Sequence, residues 1–130
     1  MPTYFLDANV PVNVSKGLAQ VRSDIMYPGA HGCPVMSTVV PDIEWLGIAG
    51  RQEWVVVTKD RKIRTRPGER NALVDAGVRS FCATHAGNYT MWELLKLLVA
   101  RWDDMEEIAM NVPGPYIYSV TKNGVRFLAK

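Results

Sequence analysis

Two stretches decide the reading of this chain: Tyr4-Phe5-Leu6-Asp7 near its start and Val55-Val56-Val57-Thr58-Lys59-Asp60 near its middle. Each is a short apolar run ending in an aspartate. The second is rich in β-branched residues, so both read as buried parallel strands. In an open α/β sheet, ligands gather beyond the carboxyl ends of the strands. Aspartates delivered there by two strands point into one crevice. They would repel each other unless a cation or a proton were shared between them, and a metal pocket is the economical reading.

Around these strands the chain keeps a βα rhythm. Val10, Val14, Leu18 and Val21 have helical spacing after the first aspartate. Asp24 to Tyr27 reads as a short strand, and Pro28 to Val40, with its glycines and prolines, as a surface loop. A helix is predicted from about Pro41 to Gln52, another from about Pro67 to Ala76 with Gly77 as its stop, and a strand over Val78 to Thr84. Thr90-Met91-Trp92-Glu93 is a capping box. Met91, Leu94, Leu95, Leu98, Trp102 and Met105 continue one apolar face behind it. Lys122-Asn123-Gly124, between two strand-like runs, predicts a C-terminal hairpin over about 115–128. The expected fold is α/β, one domain over residues 1–130, with a central, mainly parallel sheet.

Composition excludes several classes. The 130 residues are 48% hydrophobic and 22% charged, a globular balance. Asp7 and Asn9 interrupt the N-terminal apolar stretch before it forms a leader, and no run nears the ~18 apolar residues that span a bilayer. A cytoplasmic chain without membrane contact is expected. Cys33 and Cys82 fit neither a redox pair nor a zinc site and read as free thiols, with Cys82 buried.

Net charge is only +2, but it is unevenly spread. Lys59, Arg61, Lys62, Arg64, Arg66 and Arg70 crowd behind the second strand, against Asp60 and Glu69 alone. Such a run is usually a solvated face. Beside a carboxylate pocket it reads instead as a rim that holds a phosphate backbone. A third acid comes from the helix after Pro41. At about 100° per residue, Asp42 shares the arc of Trp45, Leu46 and Ala49, while Glu44 points away. As a cap or dipole partner Asp42 needs nothing further; taken with Asp7 and Asp60, it reads as a third metal ligand.

Phe5-Leu6-Asp7-Ala8-Asn9, Pro41-Asp42-Ile43-Glu44-Trp45-Leu46 and Val56-Val57-Thr58-Lys59-Asp60-Arg61, in that order, resemble the PIN-like nucleases. The look is to the compact branch that includes VapC-like toxins of toxin–antitoxin pairs. Arg64-x-x-Pro67-x-Glu69-Arg70-x-Ala72-Leu73 and Gly87-Asn88 share in it. The resemblance implies a three-layer sandwich with acids at one sheet edge, divalent-metal-dependent RNA cleavage and an antitoxin partner. By position Asp7, Asp42 and Asp60 match the family's acids, and Asn9 sits where this branch keeps an amide or acid. Larger PIN nucleases carry a fourth acid downstream; here the next candidate, Asp75, reads as surface.

The expected function is therefore that of an endoribonuclease using Mg²⁺, with Mn²⁺ as a substitute. Asp7 and Asp60 would contact the metal and Asp42 would ligate it or orient water. Asn9 and Glu44 are supporting candidates, with Glu44 placed on the surface. Lys59 and Arg61 would neutralise phosphoryl charge, and Lys62, Arg64, Arg66 and Arg70 would hold RNA. His31 and His85 read as structural or solvated. Tyr116 and Tyr118 share a strand face that serves either a subunit contact, as in a homodimer, or RNA stacking, with the contact favoured. The alternative is a PIN-like module that binds metal and RNA without cutting. A receiver-type phosphoacceptor domain fits less well, because Asp7 has no acidic neighbour.

Overall fold

The structure is a computed structural model that describes residues 2–36, 40–59, 66–84 and 89–129. Its elements run β1 (Tyr4–Leu6), α1 (Val12–Val21), β2 (Ile25–Met26), α2 (Asp42–Arg51) and β3 (Val55–Thr58). They continue with α3 (Pro67–Asp75), β4 (Arg79–Ala83), α4 (Met91–Asn111), β5 (Tyr116–Thr121) and β6 (Gly124–Ala129). The six strands form one sheet in the order β2-β1-β3-β4-β5-β6. Strands β1 to β5 pair in parallel, and only β6 runs antiparallel, against β5.

Alternation along each strand splits the core into two layers. Tyr4, Leu6, Val55, Val57, Phe81, Tyr116 and Val120 face one side, where α1 contributes Val14 and Leu18 and α4 contributes Leu94, Leu98, Trp102 and Met105. Phe5, Val56, Cys82 and Ile117 face the other, beneath Trp45, Leu46 and Ala49 of α2 and Leu73 of α3. The result is helix–sheet–helix, as expected for a βα chain buried on both faces.

Several local expectations hold and three change. The capping box of α4 is present in both directions: Glu93 N donates to Thr90 Oγ1 at 3.1 Å, and Thr90 N to Glu93 Oε1 at 2.9 Å. Met91, expected on the buried face, is 51% exposed, because it is the first residue of α4 and the core begins a turn later at Leu94. The predicted hairpin is present, and β5 pairs with β4 across five registers, so it extends the central sheet. Tyr116 and Tyr118 do share a face, but Tyr116 is buried within the chain, its ring 5.6 Å from Phe81, so it offers no surface for a subunit contact. The Gly/Pro loop is anchored, since Cys33 and Val35 insert into the α2/α3 layer. Both cysteines are buried free thiols.

Candidate active site

The chain leaves β1 toward β2 on one flank, then returns to place β3 on the other. That reversal opens a crevice between the carboxyl ends of β1 and β3, where α/β sheets bind ligands. Asp7 sits in it. The Asp7 backbone N–H donates to Val57 O at 3.1 Å, carrying the β1–β3 ladder one residue past the strand. Thr58, at the end of β3, donates its hydroxyl to the Asp7 carboxylate. Asn9 adds its side-chain amide and its backbone N–H, the latter at 3.1 Å from Oδ1.

Asp7 is only 2% exposed. Burial pushes its carboxyl up from 3.8 to about 6. The Thr58 and Asn9 hydrogen bonds pull it down, and the negative charge of Asp42 adds to the rise. Asp42 is the smallest of these influences on Asp7.

Asp42 opens α2, but it does not cap it. Instead Oδ1 accepts from the Trp45 indole nitrogen at 2.7 Å, one turn along the helix. Its other oxygen, Oδ2, lies 3.7 Å from Arg66 Nη1. The inward arc read from the helical period is correct in direction, and the side chain remains 33% exposed. Glu44 is exposed, as expected.

Glu69 is the acid that local sequence reasoning passed over. In the first turn of α3 it counted only as an offset to the basic run. In the fold α3 packs on α2, which brings Glu69 into hydrogen-bonding reach of Asp42. Burial raises the Glu69 carboxyl; Asp42 raises it further, and Arg66 opposes both. Arg66 Nη1 meets Glu69 Oε2 at 2.9 Å and Oε1 at 3.3 Å. An Arg-x-x-Glu pair at a helix start was the available signal. Thr58 was missed for another reason: a threonine closing a β-branched run reads as strand propensity.

Asp60, Arg61, Lys62 and Arg64 lie outside the described residues, as do His85 and Gly87-Asn88. Of the remaining basic rim, Lys59 and Arg70 are half-buried, and Arg66 turns onto the acids rather than away from them.

The donor set suits a hard cation. Carboxylate oxygens suit a hard divalent ion, and Mg²⁺ needs only one or two of them besides water and phosphate. Asp7 and Asp42 meet that need. Among the described residues, no three His, Cys, Asp or Glu side chains converge closely enough to enclose a metal by themselves. Among those residues, too, no helix is long and apolar enough to cross a membrane.

No curated protein and no solved structure matches the chain. A family profile described as a PIN-like domain matches residues 2–85, nearly two-thirds of the length. That span runs from β1 through β4 and contains Asp7, Asp42, Thr58, Asp60 and Glu69. The chain belongs to the PIN-like domain family, whose members are typically nucleases.

Proposed function

We propose that this protein is a divalent-metal-dependent endoribonuclease, acting as the toxin of a type II toxin–antitoxin pair, with Asp7, Asp42 and Asp60 as its acids. The observation that carries the reading is a buried Asp7, hydrogen-bonded by Thr58 and Asn9, at the carboxyl end of β1 where strand order reverses. Membership of the PIN-like family supports it. The antitoxin and a second copy of the chain are the protein partners this reading calls for.

Asp7, Asp42 and Asp60 would hold Mg²⁺ or Mn²⁺. When bound, the ion would polarise a phosphoryl oxygen and make water a better nucleophile. Thr58 and Asn9 orient the Asp7 carboxylate and favour its charged form. Trp45 fixes the rotation of Asp42 through Oδ1. Lys59, Arg61, Lys62, Arg64 and Arg70 would draw in the RNA backbone and counter charge developing on the phosphate.

The test is RNA cleavage with Mg²⁺, with Mn²⁺ and with chelator, for the wild type and for Asp7→Asn, Asp42→Asn and Asp60→Asn. Metal-dependent cleavage by the wild type, lost in each variant with circular dichroism unchanged, is the expected pattern. Unchanged cleavage by Asp60→Asn, or cleavage indifferent to chelator, would end the assignment.

The alternative is a PIN-like module that binds metal and RNA without cutting. Thermal stabilisation by Mn²⁺ with no cleavage of total RNA would favour that module.

A further inference from the structure

Asp42 uses its two oxygens differently. Oδ1 is held by Trp45 from the buried side, and Oδ2 is turned toward Arg66. The guanidinium nitrogen Arg66 Nη1 faces Asp42 Oδ2 at 3.7 Å and grips Glu69 Oε2 at 2.9 Å. The guanidinium thus neutralises two acids that would otherwise repel. It stands beside the Asp42 oxygen that a hard cation would take. A divalent ion and a guanidinium held against one carboxylate repel each other, so both do not stay. The Arg66 side chain is 44% exposed, and ion pairs as exposed as the one with Asp42 contribute little to stability.

We infer that Arg66 is the resident counter-ion of the Asp42–Glu69 pair, displaced by the incoming divalent ion and thereby released to grip an RNA phosphate. This rests on the nuclease reading of the site and deepens it by coupling metal entry to substrate capture. Glu69 remains as the tether, one helical turn away, that keeps the released guanidinium at the crevice. The planar fork of arginine matches a phosphate in two-pronged fashion, which lysine does not reproduce. Metal binding and phosphate binding then become mutually reinforcing, because each removes the competitor of the other.

The experiment follows free Mn²⁺ by electron paramagnetic resonance, and follows a fluorescein-labelled phosphorothioate oligouridine by anisotropy with and without Mn²⁺. The proteins are the wild type, Arg66→Gln, Arg66→Lys and Asp42→Asn. Arg66→Gln is expected to bind Mn²⁺ about threefold to tenfold more tightly than wild type, as removal of a competing ion pair allows. It should also lose most of the Mn²⁺-dependent gain in oligonucleotide affinity. Arg66→Lys, which keeps the charge without the fork, should retain near wild-type Mn²⁺ affinity and a reduced gain. If Arg66→Gln changes neither quantity while Asp42→Asn abolishes Mn²⁺ binding, the counter-ion role is wrong and the nuclease reading survives. If the wild type takes up no Mn²⁺ that depends on Asp42, both fall together.

Discussion

The Trp45 indole donates to Asp42 Oδ1 at 2.7 Å, while its ring lies 5.5 Å from that of Phe5. Phe5 in turn stands two residues before Asp7 on β1. One buried side chain thus ties the helix acid to the strand that delivers the other acid. Trp45→Phe would keep an aromatic ring on Phe5 and remove only the donor. With Asp42 free to rotate, Mn²⁺ affinity should fall about tenfold, the scale of lost outer-shell support at metal sites. Calorimetric titration with Mn²⁺ measures this, with circular dichroism reporting the fold. Unaltered affinity would show that Asp42 needs no positioning.

Asp7 makes stability depend on pH in a definite direction. Its value in the fold, about 6, exceeds the ordinary 3.8. Below the lower value the carboxyl is neutral whether the chain is folded or not, and it costs nothing. Between the two, the unfolded chain releases a proton that the fold retains, so stability declines as pH rises. Above the higher value both states are ionised and the penalty is constant, on the order of 3 kcal/mol. Asp7→Asn should therefore be more stable than wild type at neutral pH. The difference between the two proteins, measured by urea unfolding, should shrink toward zero as pH falls to about 4. Added Mn²⁺ should narrow the neutral-pH gap by stabilising ionised Asp7 in the wild type alone. An Asp7→Asn protein no more stable than wild type at neutral pH would contradict the assignment.

The N-terminus of α4 offers a prediction away from the site. Thr90→Ala removes the hydroxyl that accepts from Glu93 N and leaves a helix-start donor without its cap. The cost should be about 1 kcal/mol. Unfolding in urea should record this as a lower midpoint with unchanged slope, and Mn²⁺ binding should be unaffected.

That cap was legible in four consecutive residues because every atom it needs is local. The same holds for Asp7: an apolar run with an acid behind it announces a strand end. Asp42 was legible through helical period, since α2 buries Trp45, Leu46 and Ala49 on one arc. Glu69 was not, because an acid in a first helical turn has a sufficient local explanation in the dipole. Only the packing of α3 on α2, a contact between elements separated by a strand, turns it toward Asp42. The ion pairs of Arg66 with Asp42 and Glu69 were hidden in the same way, since only that packing sets two carboxylates before it. The strand character of 116–121 was readable, but not its parallel neighbour β4, which is fixed by the long α4 crossover. Cys33 and Val35 sit in a stretch whose glycines and prolines speak for a surface loop, and apolar anchoring of so short a segment has no period to reveal it.

Gly50 controls the spacing of the two helices that carry Asp42 and Glu69. A Cβ built there would lie 2.6 Å from both the Cβ and the carbonyl oxygen of Ala76, just past the end of α3. At the opposite ends, a Cβ on Gly68 would lie 3.5 Å from Ile43 Cδ1, so α2 and α3 run side by side along their length. On an isolated helix, Gly→Ala would stabilise by about 1 kcal/mol. Here the added methyl meets backbone that has no rotamer to give, and the helices must part. Gly50→Ala is expected to cost about 1–3 kcal/mol net, as overpacked sites do. Adding Ala76→Gly should return part of the loss, because it removes one of the two obstructing atoms and leaves the carbonyl. Urea unfolding of the single and double variants measures both steps. A more stable Gly50→Ala protein would mean that the helices part at no cost, and the separation of Asp42 from Glu69 would then not be set by this contact.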